Sequence, residues 1–255
     1  MASAVQVEPT FSGKTVLLTG ATSGIGEASA IAFGRRGAHV LVCGRDEARG
    51  RKVSEKVVAA GGKATLLIAD LNDHQATLDL AKRGLDAAGG RVDILINNAG
   101  GGGFTPSAAV SLSDYDRTYN LNARAPFFLT AAIAPTMVAN GAGAIVNVSA
   151  SSTIKGVSGL SLFAGAKGAL EAMTRGWAAE YGPAGVRVNA INLGAVETPI
   201  NAHIRDLIAG LMMTTPARRM GKAEEVAAAI LFLSSPAASY INGVVLPVDG
   251  GFAIS

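Results

Sequence analysis

Glycines 20, 24 and 26 follow the apolar run Val16-Leu17-Leu18, with Thr19, Thr22, Ser23 and Ile25 among them. Residues of these types at this spacing can hold a phosphate. Gly20 permits a tight turn and Gly24 lets the backbone approach a pyrophosphate. Gly26 lets a following helix lie close to the strand while its N-terminal amides face the anion. Ala28 through Arg35 are good helix formers, so the chain reads strand, turn, helix. The spacing is Gly-x-x-x-Gly-x-Gly, not the commoner Gly-x-Gly-x-x-Gly. Turns of this kind also serve as plain connectors, and the residues downstream bear on that choice.

The elements that must position this turn follow in order. Strands are expected at 38–43, 63–69, 92–96, 143–148, 186–191 and 243–248. Helical runs are expected at 46–60, 73–88, 111–140, 160–181 and 223–233. Pro126 and Pro135 predict a kink in the long 111–140 region. Alternating strand and helix implies an α/β fold: a single Rossmann-type, doubly wound parallel sheet covered on both faces by right-handed crossovers. Ligands of such sheets bind beyond the carboxyl ends of the strands, at the switch point. Residues 1–12 read as a flexible leader and 13–255 as one domain. The stretch 194–215, carrying Pro199, His203 and Leu211-Met212-Met213, reads either as a substrate lid or as a mobile surface connection.

Bulk properties exclude several classes of function. The chain has 255 residues, 49% of them hydrophobic, enough for one sizeable core. Charged residues make up 16% and the net charge is +3, too little to argue for nucleic acid or an anionic membrane as partner. Cys43 is the single cysteine, so no intrachain disulfide forms and a cytoplasmic, reducing setting is expected. No apolar run has the length of a membrane span. His39, His74 and His203 lack the spacing of metal ligands, so no metal is expected.

With these pieces placed, the chain resembles the short-chain dehydrogenase/reductase family along essentially its full length. The matching motifs are Thr19-Gly20-x-x-x-Gly24-Ile25-Gly26, Asp70-Leu71, Asn97-Asn98-Ala99-Gly100, Asn122, Lys167, Val188-Asn189 and Val248-Asp249-Gly250-Gly251. The resemblance implies that Asp70 and Leu71 bracket an adenine and that Asn97, Asn98, Ala99 and Gly100 support the cofactor. It also implies that Gly194, Val196 and Thr198 hold the carboxamide side of a nicotinamide, and that the Lys167 ammonium bonds the nicotinamide ribose. Arg45 stands at the end of the second strand, where an NAD-preferring enzyme places a carboxylate. A cation there suits a 2′-phosphate, which favours NADP(H), with a solvated surface arginine as the other reading. Asp46 beside it is expected to cap the next helix.

The family's catalytic positions are where this chain departs. The resemblance places a tyrosine four residues before the lysine, on the same helical face, where the ammonium can lower its pKa. That residue here is Phe163. Thirteen residues earlier, where the family has a serine that bonds the substrate oxygen, stands Ala150; Ser149, Ser151 and Ser152 are its neighbours. Asn122 is expected to hold a water or to fix helix geometry. Tyr115, Tyr119, Arg124 and His203 are further candidate proton donors. Three readings stand: a disabled reductase; an oxidoreductase whose small apolar substrate, an iminium or a polarised alkene, needs no phenol; or a non-catalytic NADPH-binding sensor or scaffold. Trp177, Met173 and the alanine-rich turns of the 160–181 helix suggest either a face that pairs across a two-fold, giving a homodimer or homotetramer, or ordinary packing on the sheet.

Overall fold

The computed structural model describes residues 10–255. Seven strands form one fully parallel sheet: β1 (Thr15–Leu18), β2 (His39–Gly44), β3 (Lys63–Ile68), β4 (Ile94–Asn97), β5 (Gly143–Ala150), β6 (Val186–Leu193) and β7 (Val245–Val248). Their spatial order is β3-β2-β1-β4-β5-β6-β7. The order reverses between β1 and β4, and that reversal opens the crevice in which ligands of such sheets bind.

The helices are α1 (Gly24–Gly34), α2 (Glu47–Ala59), α3 (His74–Ala87), α4 (Leu112–Tyr119), α5 (Ala125–Ala139), α6 (Ser161–Tyr181), α7 (Arg205–Met212) and α8 (Ala223–Ser234). Alternation along each strand sorts side chains to two cores. Val16, Leu18, Val40 and Val42 pack with Phe33 and Ile230 on one face. Leu17, Leu41 and Leu95 pack with Leu80, Leu129, Leu170 and Trp177 on the other. Burial on both faces is why β1 and β2 read as unbroken apolar runs.

Several expectations change here. Of the proposed leader, residues 1–9 lie outside the described residues. Phe11 is buried against Phe33, with ring centroids 4.9 Å apart, so the packed unit begins before residue 13. The long 111–140 helix breaks at a π-helical turn, Asn120–Arg124, and neither proline makes the break. Pro126 sits in the first turn of α5, where its missing N–H is tolerated, and Pro135 stays inside that helix. The 194–215 stretch is ordered by a 3-10 segment, Pro199–Ile204, and by α7. Trp177 is buried within the subunit and its ring lies 5.9 Å from that of Phe127, so ordinary packing on the sheet accounts for it.

Candidate active site

One cleft of about 960 Å³ lies at the carboxyl ends of the strands and crosses the switch point. Its phosphate end is the turn after β1. Gly20 adopts a left-handed backbone, φ +63°, which a side chain would strain. A Cβ on Gly26 would lie 2.0 Å from the Gly20 carbonyl oxygen, so only glycine lets α1 begin this close to β1. Thr22, Ser23, Gly24 and Ile25 complete the lining.

The turn is clamped from the β4 side. Asn98 Nδ2 donates to the carbonyls of Thr19 and Gly20 at 2.9 and 3.1 Å. Thr19 Oγ1 accepts from the amides of Asn98 and Ala99, both at 3.0 Å. Thr19 is thus an anchor that sequence reasoning treated only as part of a motif; a hydroxyl at a strand end facing two later amides is its signal. Asn97 does not reach the cleft. Its Nδ2 donates to Asn147 Oδ1 at 2.8 Å and ties β4 to β5, so its support of a cofactor is indirect. Asp70 is exposed and accepts from Asn72, while Leu71 and Ala69 line the cleft.

Arg45 lines the cleft at the end of β2 and makes no ion pair among the described residues. Asp46 is occupied: it caps α2 by accepting from the Arg49 amide at 2.9 Å and pairs with the Arg49 guanidinium at 2.8 Å. That capping bond, with help from the Arg49 charge, holds its carboxyl below the ordinary value. Among the described residues Arg45, Arg49 and Lys167 line the cleft and no Asp or Glu does, so its field favours an anion.

Lys167 and Gly100 line the cleft, and Asn122 lies buried behind them. A Cβ on Gly100 would meet both Asn122 Oδ1 and Lys167 Nζ at 2.8 Å, so the two polar groups converge on that glycine. Asn122 Nδ2 donates to the Thr118 carbonyl at 2.8 Å and to the Gly101 carbonyl at 2.9 Å. The side chain thereby satisfies a carbonyl at the widened turn, which is how the break in the helix and the position of this residue come together. Lys167 Nζ donates to the Val148 carbonyl at 2.7 Å. Burial pushes its ammonium down to about 8, with the nearby Glu171 carboxylate opposing.

Phe163 lies one helical turn before Lys167. Its ring packs on Gly102, where a Cβ would come within 2.5 Å, and sits 5.8 Å from the Lys167 ammonium. Ser149 and Ser151, two of the hydroxyls offered in place of Ala150, are engaged elsewhere. Ser149 Oγ donates to the buried Glu171 Oε1 at 2.5 Å, and Ser151 Oγ donates to Asp249 Oδ2 at 3.3 Å. Thr153 and Asn192 also donate to Glu171 Oε1, at 2.7 and 2.8 Å. Sequence reasoning missed this knot beneath the cleft, although Glu171 falls one turn after Lys167 on the same face.

The 194–215 stretch brings Thr198, Pro199, Ile200, His203, Leu211 and Met212 onto the cleft. Thr198 packs beside Gly24, and its buried Oγ1 has no hydrogen-bond partner among the described residues. Gly194 is pressed against the Asp249 backbone, and Val196 bridges to Gly221. Of the other donor candidates, Tyr115 and Tyr119 stack on each other away from the cleft and Arg124 bonds the Asn72 carbonyl. His203 alone of the four lines the cleft.

Residues 20–253 match the family model described as enoyl-(acyl carrier protein) reductase. The 7alpha-hydroxysteroid dehydrogenase of Escherichia coli K12 is 34% identical over 94% of both chains. The chain belongs to the short-chain dehydrogenase/reductase family. Among solved structures, a short-chain dehydrogenase/reductase family protein is 39% identical with a TM-score of 0.88, covering 96% of this chain and 99% of its own. A Beutenbergia cavernae structure with NADP bound at low occupancy is 36% identical with a TM-score of 0.91, at the same coverage. The short-chain dehydrogenase/reductase architecture therefore spans nearly the whole chain. Among the described residues, no helix is long and apolar enough to cross a membrane, and no group of three or more His, Cys, Asp or Glu could hold a metal ion.

Proposed function

We propose that this chain is an NADPH-dependent oxidoreductase acting on a small apolar carbonyl, iminium or activated alkene, with Phe163 and Ala150 in the places where the family has a tyrosine and a serine. The observation that carries the reading is the chemical asymmetry of the cleft. The glycine turn, Arg45, Thr198 and Lys167 line the cleft as groups suited to hold a dinucleotide, while α6 offers it a phenyl ring at Phe163.

The residues present fit the cofactor. The glycine turn keeps side chains off its backbone at positions 24 and 26, Thr198 stands beside Gly24 with its hydroxyl unpartnered among the described residues, and Arg45 lines the cleft, suited to a 2′-phosphate. NADP in the Beutenbergia relative supports the same choice. When bound, a reduced nicotinamide supplies hydride. The chain's own part is to orient the ribose through Lys167, hold Lys167 and Asn122 about Gly100, and exclude water with the lid. A ketone also needs a donor for its developing alkoxide, and losing a positioned donor typically lowers the rate ~10²- to 10⁴-fold. An iminium or a polarised alkene escapes most of that loss. The small residues exposed on α6 and the aromatic and apolar ones exposed on α4 and α5, including Tyr115, Phe127 and Val138, support a homodimer or homotetramer built on these helices.

The test is kinetic. NADPH oxidation is followed with a ketone, an iminium and an enone for the wild type and for the double variant Phe163→Tyr, Ala150→Ser. Turnover of enone or iminium by the wild type, with ketone reduction gained only in the variant, is the expected result. Equal ketone turnover in the wild type ends the substrate argument. Tight NADPH binding with no turnover in either protein favours the sensor or scaffold.

A further inference from the structure

We propose that Ser152 supplies the hydroxyl that holds the polar atom of the substrate, and that this atom is a neutral carbonyl oxygen, as in an enone. The inference rests on the cofactor reading above and deepens it. Three hydroxyls flank Ala150, and the structure sorts them by partner. Ser149 Oγ is bound to Glu171 and Ser151 Oγ to Asp249. Ser152 Oγ is shielded from solvent, has no hydrogen-bond partner among the described residues, and belongs to a residue lining the cleft that Phe163 also lines.

A shielded hydroxyl without a partner is an unmet donor that a ligand acceptor satisfies. Thr198 Oγ1 is in the same state beside Gly24. Thr198 stands beside Gly24 at the turn after β1, whereas Ser152 follows β5, two residues beyond Ala150. Charge decides between the substrate classes. Among the described residues no carboxylate lines the cleft, whereas the Lys167 ammonium does, 5.8 Å from the Phe163 ring, so a cationic iminium meets repulsion and a neutral carbonyl does not. For an enone the β carbon gains hydride, and the alkene π pair shifts toward the oxygen held by Ser152. Water then returns a proton to the α carbon, leaving a saturated ketone and oxidised nicotinamide.

The test compares binding of 2-cyclohexenone with that of cyclohexene, which has the ring but lacks the oxygen. Both are titrated calorimetrically into wild type, Ser152→Ala, Ser152→Thr and Ser151→Ala, each loaded with NADP+, which carries no hydride to transfer. Wild type is expected to prefer the enone by ~10-fold, the worth of one hydrogen bond to an otherwise unmet donor. Ser152→Ala should lose that preference, while Ser152→Thr and Ser151→Ala retain it, with NADPH affinity unchanged throughout. Ser152→Gly gives the same comparison should the alanine variant not fold. A preference that survives Ser152→Ala, or a wild type loaded with NADP+ that does not bind the enone, overturns the proposal. A wild type that does not bind NADPH removes the cofactor reading and this inference with it.

Discussion

The turn after β1 and the loop after β5 end neighbouring halves of the same sheet and line the same cleft, but they are constrained by different things. The first is fixed by backbone: a left-handed Gly20, a Gly26 with no room for a methyl, and the Asn98 and Thr19 clamp. The second is fixed by side chains spent on one another, with Ser149, Thr153 and Asn192 all turned toward Glu171. Backbone constraints tolerate almost no substitution. A loop held by side chains below the cleft leaves the residues above it free to change, and that is where Phe163 and Ala150 stand.

The largest effect should come from restoring the second region. Phe163→Tyr with Ala150→Ser is expected to raise kcat/KM for a ketone by ~10²- to 10⁴-fold, read from NADPH oxidation. No change would mean that the loop after β5 lacks more than two hydroxyls. Next comes damage to the first region. Gly26→Ala drives a methyl into the Gly20 carbonyl oxygen and is expected to remove about 3 kcal/mol of stability, measured by denaturant unfolding, together with NADPH binding. A folded variant that still binds NADPH would show that the turn can open. A smaller change follows at its rim. Arg45→Ala should weaken NADPH ~10-fold by fluorescence titration and leave NADH unchanged, because only the 2′-phosphate meets that guanidinium.

These two kinds of constraint also explain how far the sequence could be read. The strands, the α/β alternation and the glycine turn were legible because each rests on local pattern: apolar runs, turn residues and caps such as Asp46. The break at Asn120–Arg124 was not, since the side chain within it, Asn122, bonds Thr118 and Gly101, a contact made only once β4 and the helix are in place. Asp70, Asn97, Ser149 and Ser151 were placed on the site by motif, but position along a strand does not say which partner a polar side chain finds. Ser152 was set apart from its neighbours only when their bonds were known.

Lys167 joins the two regions and gives the most diagnostic prediction. It bonds the Val148 carbonyl at the end of β5 and faces Gly100 after β4, and burial lowers its ammonium from 10.5 to about 8. Between those values the unfolded chain binds a proton that the folded chain releases, so stability rises with pH across this window. Below about 8 both states carry the charge, and the penalty for burying it is present in full. The slope within the window is at most about 1.4 kcal/mol per pH unit for a single group. Lys167→Met removes the titrating group, so the difference in unfolding free energy between wild type and variant should grow with pH from about 8 to 10.5 in favour of the wild type. Other groups that ionise in this range are common to both proteins and drop out of the difference. Parallel curves would mean that the ammonium is hydrated in the folded protein, and the convergence of Lys167 and Asn122 on Gly100 would then not describe the site in solution.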